Sequence, residues 1–312
     1  MERFLKFAVV GFIAQMIDGS VGMGYGMTST SLLLATGVAP AIASASVHMA
    51  EIVTSFASGT AHWRMGNVDR HVVVPLAIPG AVGGFSGAFF LSRIPATEAK
   101  VMVAIILLAL GLYVLYRFAR QRTTDEANPT HLRRRFLVPV GLVGGFVDAT
   151  GGGGWGAITT STLLAKTGRP RKVVGSVSLS EFVVTVSATT GFVIALGWEG
   201  INFTWFVALV AGGVFAAPIA AALTKIIPAQ RLGLMIGGII LLTNARTIAV
   251  IAGADKSIVT MFFGAVVALW VLMVGQAIHI HRRSRAEQAS DLLAQVSLGV
   301  NDEPPLGSAA SR

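Results

Sequence analysis

Six ionisable residues stand inside otherwise apolar sequence: Asp18, His48, Glu51, Asp148, Glu181 and Arg246. Charges in such surroundings are costly, and where they occur they mark ion pathways, proton relays or ligand sites. His48 and Glu51 are three residues apart, which puts them on one face of a helix. The chain also carries two glycine-rich interruptions, each followed by hydroxyls: GSVGMGYGMTSTS from Gly19 and GGGGWGAITTST from Gly151. A glycine break inside a helix creates a new N-terminus, with unpaired N–H groups and a partial positive charge. Such ends bind anions.

Gly24, Gly26, Thr28 and Ser29 in the first interruption are therefore candidate substrate-binding residues. Gly153, Gly154, Trp155, Gly156, Thr159 and Thr160 are the candidates in the second. Neutral dipoles would hold a small oxyanion there without trapping it. His48, Glu51, Glu181, Asp18 and Asp148 are candidates for coupling or site lining. Carboxylates beside an anion repel it unless they hold protons. A proton moving with or against the anion removes that conflict. Plainer roles stand beside each of these. The glycines serve close helix packing and the hydroxyls bond backbone. Asp18 and Asp148 cap the helices that follow them. His48 is a neutral core histidine. Arg246 either attracts an anion or snorkels to the surface. A nucleotide loop is excluded, because no strand precedes the glycines and no Gly-Lys-Ser/Thr follows.

The elements that must position these residues are helical and apolar. Of 312 residues, 54% are hydrophobic and 12% charged, with mean hydropathy +0.72; soluble domains carry about 25% charged residues. Apolar runs cover 71–92, 99–116, 173–196, 203–223, 232–251 and 258–280. Each is long enough to cross a ~30 Å hydrocarbon core as a helix. A membrane barrel would instead show short alternating segments. The partner implied is the lipid bilayer. The net charge of +9 reflects basic loops between apolar runs and is no nucleic-acid signal. With no cysteine, disulfides, thiol catalysis and thiolate metal sites are excluded. The apolar start after Arg3 and Lys6 imitates a signal peptide, but its pattern recurs in mid-chain, so it belongs to the folded structure.

That recurrence is an internal duplication. At an offset of 130 residues Gly11 falls on Gly141, Asp18 on Asp148, Gly24 on Gly154, Tyr25 on Trp155, Pro40 on Pro170 and Glu51 on Glu181. Ser178 stands where His48 does. Further on, Arg93-Ile94-Pro95-Ala96 matches Ile226-Ile227-Pro228-Ala229 at an offset of 133. Residues 1–116 and 137–252 read as two copies of one module. A basic cytoplasmic linker, 117–136, joins them; 258–280 is an extra helix and 281–312 a cytoplasmic polar tail. Each module opens with two short arms, 4–17 and 27–36, then 137–147 and 157–166. At about 15–21 Å these suit re-entrant hairpins. Three crossings follow: 42–62, 71–92 and 99–118, then 173–196, 203–223 and 232–251.

Loop charge orients the modules. Placing 117–135 in the cytoplasm also puts 64–71, 166–172 and 281–285 there, all of them basic; only Arg3, Lys6, Arg93 and Lys100 fall outside. Three crossings per module invert the second copy. Inverted repeats with broken helices near mid-membrane are a secondary-transporter design. Gly80, Gly83, Gly84 and Gly87 have small-xxx-small spacing, suited to internal packing or to a homodimer.

The chain at this point resembles the sulfite exporter TauE/SafE family, also called the toluene-sulfonate uptake permease family. The likeness covers about residues 5–252. It rests on GFIAQMIDGSVGMGYGMTSTSLLLATG and ASVHMAEIVTS in the first copy, and on GLVGGFVDATGGGGWGAITTSTLLAKTG and GSVSLSEFVVT in the second. The resemblance implies a multi-pass bacterial inner-membrane protein that moves sulfite, sulfonates or related sulfur oxyanions. The first copy departs from the pattern, with Gly-Ser-Val-Gly in place of the glycine run and with Met23 and Met27 intruding, so the two breaks need not be equivalent. The expectation is an all-α polytopic membrane protein without a cofactor, moving a small sulfur oxyanion or organosulfonate with a coupled proton. The alternative is a divalent-cation transporter using His48, Glu51, Glu181 and the two aspartates as ligands. An intramembrane enzyme built on His48 with Ser46 or Ser176 is a weaker alternative, since no nucleophile-elbow pattern stands out.

Overall fold

The computed structural model describes residues 2–21, 23–120, 132–167, 170–198, 202–223 and 229–255, with 257, 259, 261, 264 and 268 beyond them. The described elements are helices: α1 Glu2–Val21, α2 Tyr25–Ala35, α3 Pro40–Arg64, α4 Arg70–Arg93, α5 Ala96–Arg120, α6 Arg134–Gly151, α7 Trp155–Thr167, α8 Pro170–Leu196, α9 Phe203–Leu223 and α10 Ala229–Ile251. They fall within one compact unit, Met1–Val267. Most of the expected helix 258–280, and all of the tail 281–312, lie outside the described residues, as do 121–131 of the linker.

The helices start and stop where local chemistry dictates. Pro40 enters α3 at its first turn, where a missing N–H costs nothing. Asp69 caps α4, its side chain accepting the His71 N–H at 2.9 Å. The two mid-chain breaks need glycine. Gly24, before α2, has φ 113°, and Gly152, Gly153 and Gly154, before α7, have φ of 71°, 138° and 142°, values that L side chains rarely adopt. The first arms are longer than expected. α1 has 20 residues and α6 has 18, which gives them about 30 and 27 Å, close to a bilayer's hydrocarbon thickness. Polar residues such as Gln15 and Asp18 shorten the apolar run without ending the helix. Only the glycines end it.

Among the described residues, three stretches are long and apolar enough to cross a bilayer: Arg70–Arg93, Ala96–Ala119 and Arg171–Leu196. α3 is as long, at 25 residues, but Ser44, Ser46, His48, Glu51, Ser55 and Ser58 reduce its apolar character. Large apolar side chains face outward along the spans. Val74, Ile78, Val82 and Phe85 form such a stripe on α4. A water-soluble monomer rarely shows so much contiguous apolar surface.

Two cores hold the unit together. One joins Phe7, Val10, Tyr25, Leu33, Ala43, Val47 and Leu209. The other joins Leu137, Trp155, Leu163, Val173, Val177 and Leu76. Phe7 and Leu137, Tyr25 and Trp155, Leu33 and Leu163, Ala43 and Val173, and Val47 and Val177 are each separated by the 130-residue offset, and Leu76 and Leu209 by 133. The partner helices are exchanged: α1 packs along α9, while α6 packs along α4.

These crossings bring backbones together. A Cβ on Gly11 would lie 2.2 Å from the Leu209 carbonyl oxygen, one on Gly83 2.1 Å from that of Leu142, and one on Gly145 2.1 Å from that of Gly80. Gly87 meets Phe146, and Gly80 and Gly84 meet Trp155 and Val184. The small-residue stripe of α4 is thus used within the chain. Gly145→Ala should lower the thermal midpoint of the detergent-purified protein by several degrees. Gly238, with open space around it, is the control. Gly238→Ala should leave the midpoint unchanged or raise it, since alanine favours helix by about 1 kcal/mol over glycine. Equal effects of the two changes would contradict the close α4–α6 crossing.

Candidate functional site

The two breaks touch. A Cβ on Gly26 would lie 2.6 Å from Gly153 Cα, and one on Gly153 only 2.2 Å from the Met27 nitrogen. The Thr30 hydroxyl donates to the Gly152 carbonyl. The first turn of α2 is therefore seated on the glycine run that precedes α7.

Carboxylates take the first N–H groups at these ends. Asp148 Oδ1 accepts the Trp155 N–H at 2.8 Å, and Asp18 Oδ1 accepts the Tyr25 N–H at 3.3 Å. The Gly26 N–H donates to Glu51. Both aspartates thus act as caps, neutralising the positive ends of α2 and α7. The ends are less free for a substrate anion than a bare glycine break would be.

Asp148 does more than cap. Its Oδ2 lies 3.1 Å from His48 Nε2, and both residues are buried. His48 Nδ1 lies 2.8 Å from the Ser44 carbonyl oxygen, which can only accept. Nδ1 therefore carries a hydrogen, and the contact at Nε2 needs one more, held by the imidazole or by Asp148. The Ser44 hydroxyl donates to the Ala149 carbonyl at 2.8 Å. His48 ties α3 to the end of α6 and the start of α7. It is a buried, hydrogen-bonded partner of a carboxylate, not an isolated core histidine.

Beside the crossing lies a cavity of about 180 Å³. Asp18, Tyr25, Glu51, Gly156, Ser178 and Glu181 line one part of it, and Gln15, Met23, Thr54, Ser55, Ser58, His62, Val174 and Val177 the remainder. A cavity of about 150 Å³ holds a benzene molecule, so this one has room for a small solute. Glu51 Oε2 is buried there without a hydrogen-bond partner among the described residues. A larger cavity, of about 520 Å³, lies elsewhere, between Lys6, Phe7, Trp205 and the 36–39 turn. Among the described residues its wall has no carboxylate, and Lys6 is already paired with Glu2 at 2.6 Å.

The candidate residues separate into four groups. Asp18, Glu51, Glu181 and Gly156 line the cavity, and Gly26 abuts Glu51. His48 and Asp148 form the buried pair outside it. Gly24, Gly153 and Gly154 shape the breaks, and Trp155 fills the core with its indole N–H on the Val177 carbonyl at 3.3 Å. Thr28, Ser29, Thr159 and Thr160 are fully buried and are not part of the cavity wall. Thr159 donates to the Trp155 carbonyl of its own helix at 2.5 Å. Arg246 is half-buried on α10 and is also absent from the wall. Among the described residues no three of His, Asp or Glu converge to hold a metal, so the cation alternative has no ready-made ligand set. Sequence reasoning passed over Ser55, Ser58 and His62. Their spacing from Glu51 (four, seven and eleven residues) puts all four on one face of α3, and that period was the available signal.

Two basic segments, following His62 and preceding Val174 of the cavity wall, are brought together. Lys172 Nζ donates to the Gly66 carbonyl at 2.7 Å, and the Asp69 N–H to Ser176 Oγ at 2.8 Å. This agrees with placing 64–71 and 166–172 on one side.

A helical body with outward apolar stripes, broken helices and a polar internal cavity defines a multi-pass membrane transporter. The sulfite exporter TauE/SafE family matches residues 7–247, and the chain belongs to that family. It is similar to the probable membrane transporter protein YtnM of Bacillus subtilis (strain 168), 50% identical over 276 residues, or 88% of this chain and 92% of that protein. The probable membrane transporter proteins YunE and YdhB of the same organism are 23% and 25% identical, covering 71% and 73% of this chain and 89% and 90% of their own lengths. No solved structure matches the chain. The protein is a transporter and not an enzyme, and its setting is the lipid bilayer with a small substrate.

Removing one member of the buried pair should be far costlier than replacing it with a hydrogen-bonding isostere. Asp148→Ala leaves His48 and the Trp155 N–H without their acceptor and should destabilise the fold by about 3–5 kcal/mol. Asp148→Asn keeps an oxygen for the Trp155 N–H and offers an N–H to a neutral His48, so about 1 kcal/mol is expected. Denaturant unfolding followed by tryptophan fluorescence would measure both. Equal losses would contradict the paired geometry.

Proposed function

We propose that the protein moves a small sulfur oxyanion or organosulfonate across the bacterial inner membrane, coupled to a proton. The observation that carries this is the cavity where Asp18, Glu51 and Glu181 surround a space beside the crossed breaks. Three carboxylates cannot all stay ionised around an incoming anion without strong repulsion. An anion can enter when they hold protons, and it is expelled when they lose them. Ser178 and the backbone at Gly156 offer neutral groups around the same space. The broken-helix ends of α2 and α7 reach this cavity through Tyr25 and Gly156, and Gly24, Gly26, Gly153 and Gly154 shape the breaks behind them.

The two-copy reading supports the mechanism. Residues 1–116 and 137–252 supply core positions separated by the same offset, and their helices pack across the copies. Opposite orientation of the copies, with the basic linker and C-terminal tail in the cytoplasm, follows from loop charge. The cavity then faces the cytoplasm, because its lining residues His62 and Val174 stand two positions from Arg64 and Lys172 in the basic segments.

Sulfite flux into proteoliposomes, measured across pH, tests the proposal. Wild-type flux should fall as pH rises, because entry needs protonated carboxylates. Glutamine imitates the protonated acid. Glu51→Gln or Glu181→Gln should flatten the pH profile and reduce gradient-driven accumulation by ~10-fold, the equivalent of about 1.4 kcal/mol. Wild-type pH dependence in both variants would sink proton coupling. Flux of divalent cations alone would favour the cation reading.

A further inference from the structure

The cavity has a sealed counterpart. Positions that line it on α1, α3 and α8 have equivalents 130 residues away, and those equivalents are packed shut. Asp18, His62 and Ser178 line the open space and are only partly buried. Their equivalents are Asp148, Phe192 and His48, which are 1%, 0% and 0% exposed. His48 pairs with Asp148 at 3.1 Å and lies against the Phe192 ring at 5.9 Å between centroids. Val174 and Ser58 in the open half correspond to Ser44 and Ala188, which are 1% and 0% exposed. The offset holds along these stretches because His62 shares the unbroken helix α3 with Glu51, and Phe192 shares α8 with Glu181.

One set of positions thus appears in two arrangements within one molecule. In the first half the aspartate, the α3 residue and the α8 residue stand apart around a cavity. In the second half their equivalents close on one another. We propose that His48, Asp148 and Phe192 form the shut gate of the second half-path, and that Asp18, Ser178 and His62 are the corresponding gate standing open. The inference rests on the two-copy transporter reading above. Substrate reaches Glu51 and Glu181 from the open side. It leaves on the far side when His48 separates from Asp148 and Phe192 swings out of the path while Asp18, Ser178 and His62 draw together.

The gate is not made of identical parts. Histidine and phenylalanine in the shut half replace serine and histidine in the open half, so the two closed states differ in strength. The hydrogen-bonded, aromatic-packed gate is the tighter one, and the resting protein waits open to the side of His62.

The chain has no cysteine, so single cysteines report access directly. Ser58→Cys and Ala188→Cys, each in vesicles of known orientation, would be treated with a membrane-impermeant methanethiosulfonate from either face. At rest, Ser58→Cys should label from the basic-loop face. Ala188→Cys should label at least about tenfold more slowly, and from the opposite face only, as for a state populated at 10% or less. Adding His48→Ala should speed Ala188→Cys labelling severalfold and slow that of Ser58→Cys. Sulfite turnover should do the same without the second mutation, which keeps the test valid if the double variant does not fold. If Ala188→Cys stays unlabelled in every condition while sulfite is still transported, the gate is wrong and the transport reading survives. If labelling switches as expected but no sulfur anion is carried, the gate stands and the substrate assignment falls.

Discussion

The structure depends on how two helix N-termini are satisfied deep inside an apolar fold. Hydrocarbon offers no water, so each backbone N–H exposed by a glycine break must find an acceptor within the protein. Asp148 and Asp18 supply one each, and Glu51 supplies another to Gly26. These bonds fix where α2 and α7 begin and bring carboxylates to the crossing. Two of the acidic groups that permit the breaks, Asp18 and Glu51, also line the neighbouring cavity, where the proposed coupling proton would sit. Structural requirement and chemistry therefore share residues, and Asp148 serves both the cap and the pair with His48.

The glycines act at two levels. At Gly24 and Gly152–Gly154 they supply backbone angles that end one helix and start the next. At Gly11, Gly83 and Gly145 they let whole helices approach to backbone contact. The second role uses the missing Cβ, at a cost in helix propensity, and it explains why α1 with α9 and α6 with α4 pack so closely. The resulting rigid pairs hold α3 and α8 between them, and α3 and α8 carry Glu51 and Glu181.

Much of this was legible in the sequence, for identifiable reasons. The helices follow the apolar runs to within a few residues, because length and hydropathy are local properties. Asp18, Glu51, Glu181 and Gly156, each singled out by its place in apolar sequence or at a glycine break, line the cavity. The hydroxyl runs lie off the cavity wall. Thr159 bonds its own helix and Thr30 the neighbouring break, so their donors are used in packing. Whether a hydroxyl points to a core or to a cavity depends on helix rotation, which composition does not encode. The first arms ran longer than expected because Gln15 and Asp18 interrupt hydropathy but not helix geometry. The link between His48 and Asp148, 100 residues apart, became visible only when the chain was folded.

The central claim is that a sulfur oxyanion occupies the cavity beside the crossed breaks. The most direct measurement is a structure of the protein with selenite, the selenium analogue of sulfite, located by anomalous scattering. The account expects one anomalous peak within the cavity bounded by Tyr25, Glu51, Gly156, Ser178 and Glu181. A peak confined to the Lys6–Trp205 cavity, or no peak at saturating selenite, would contradict it.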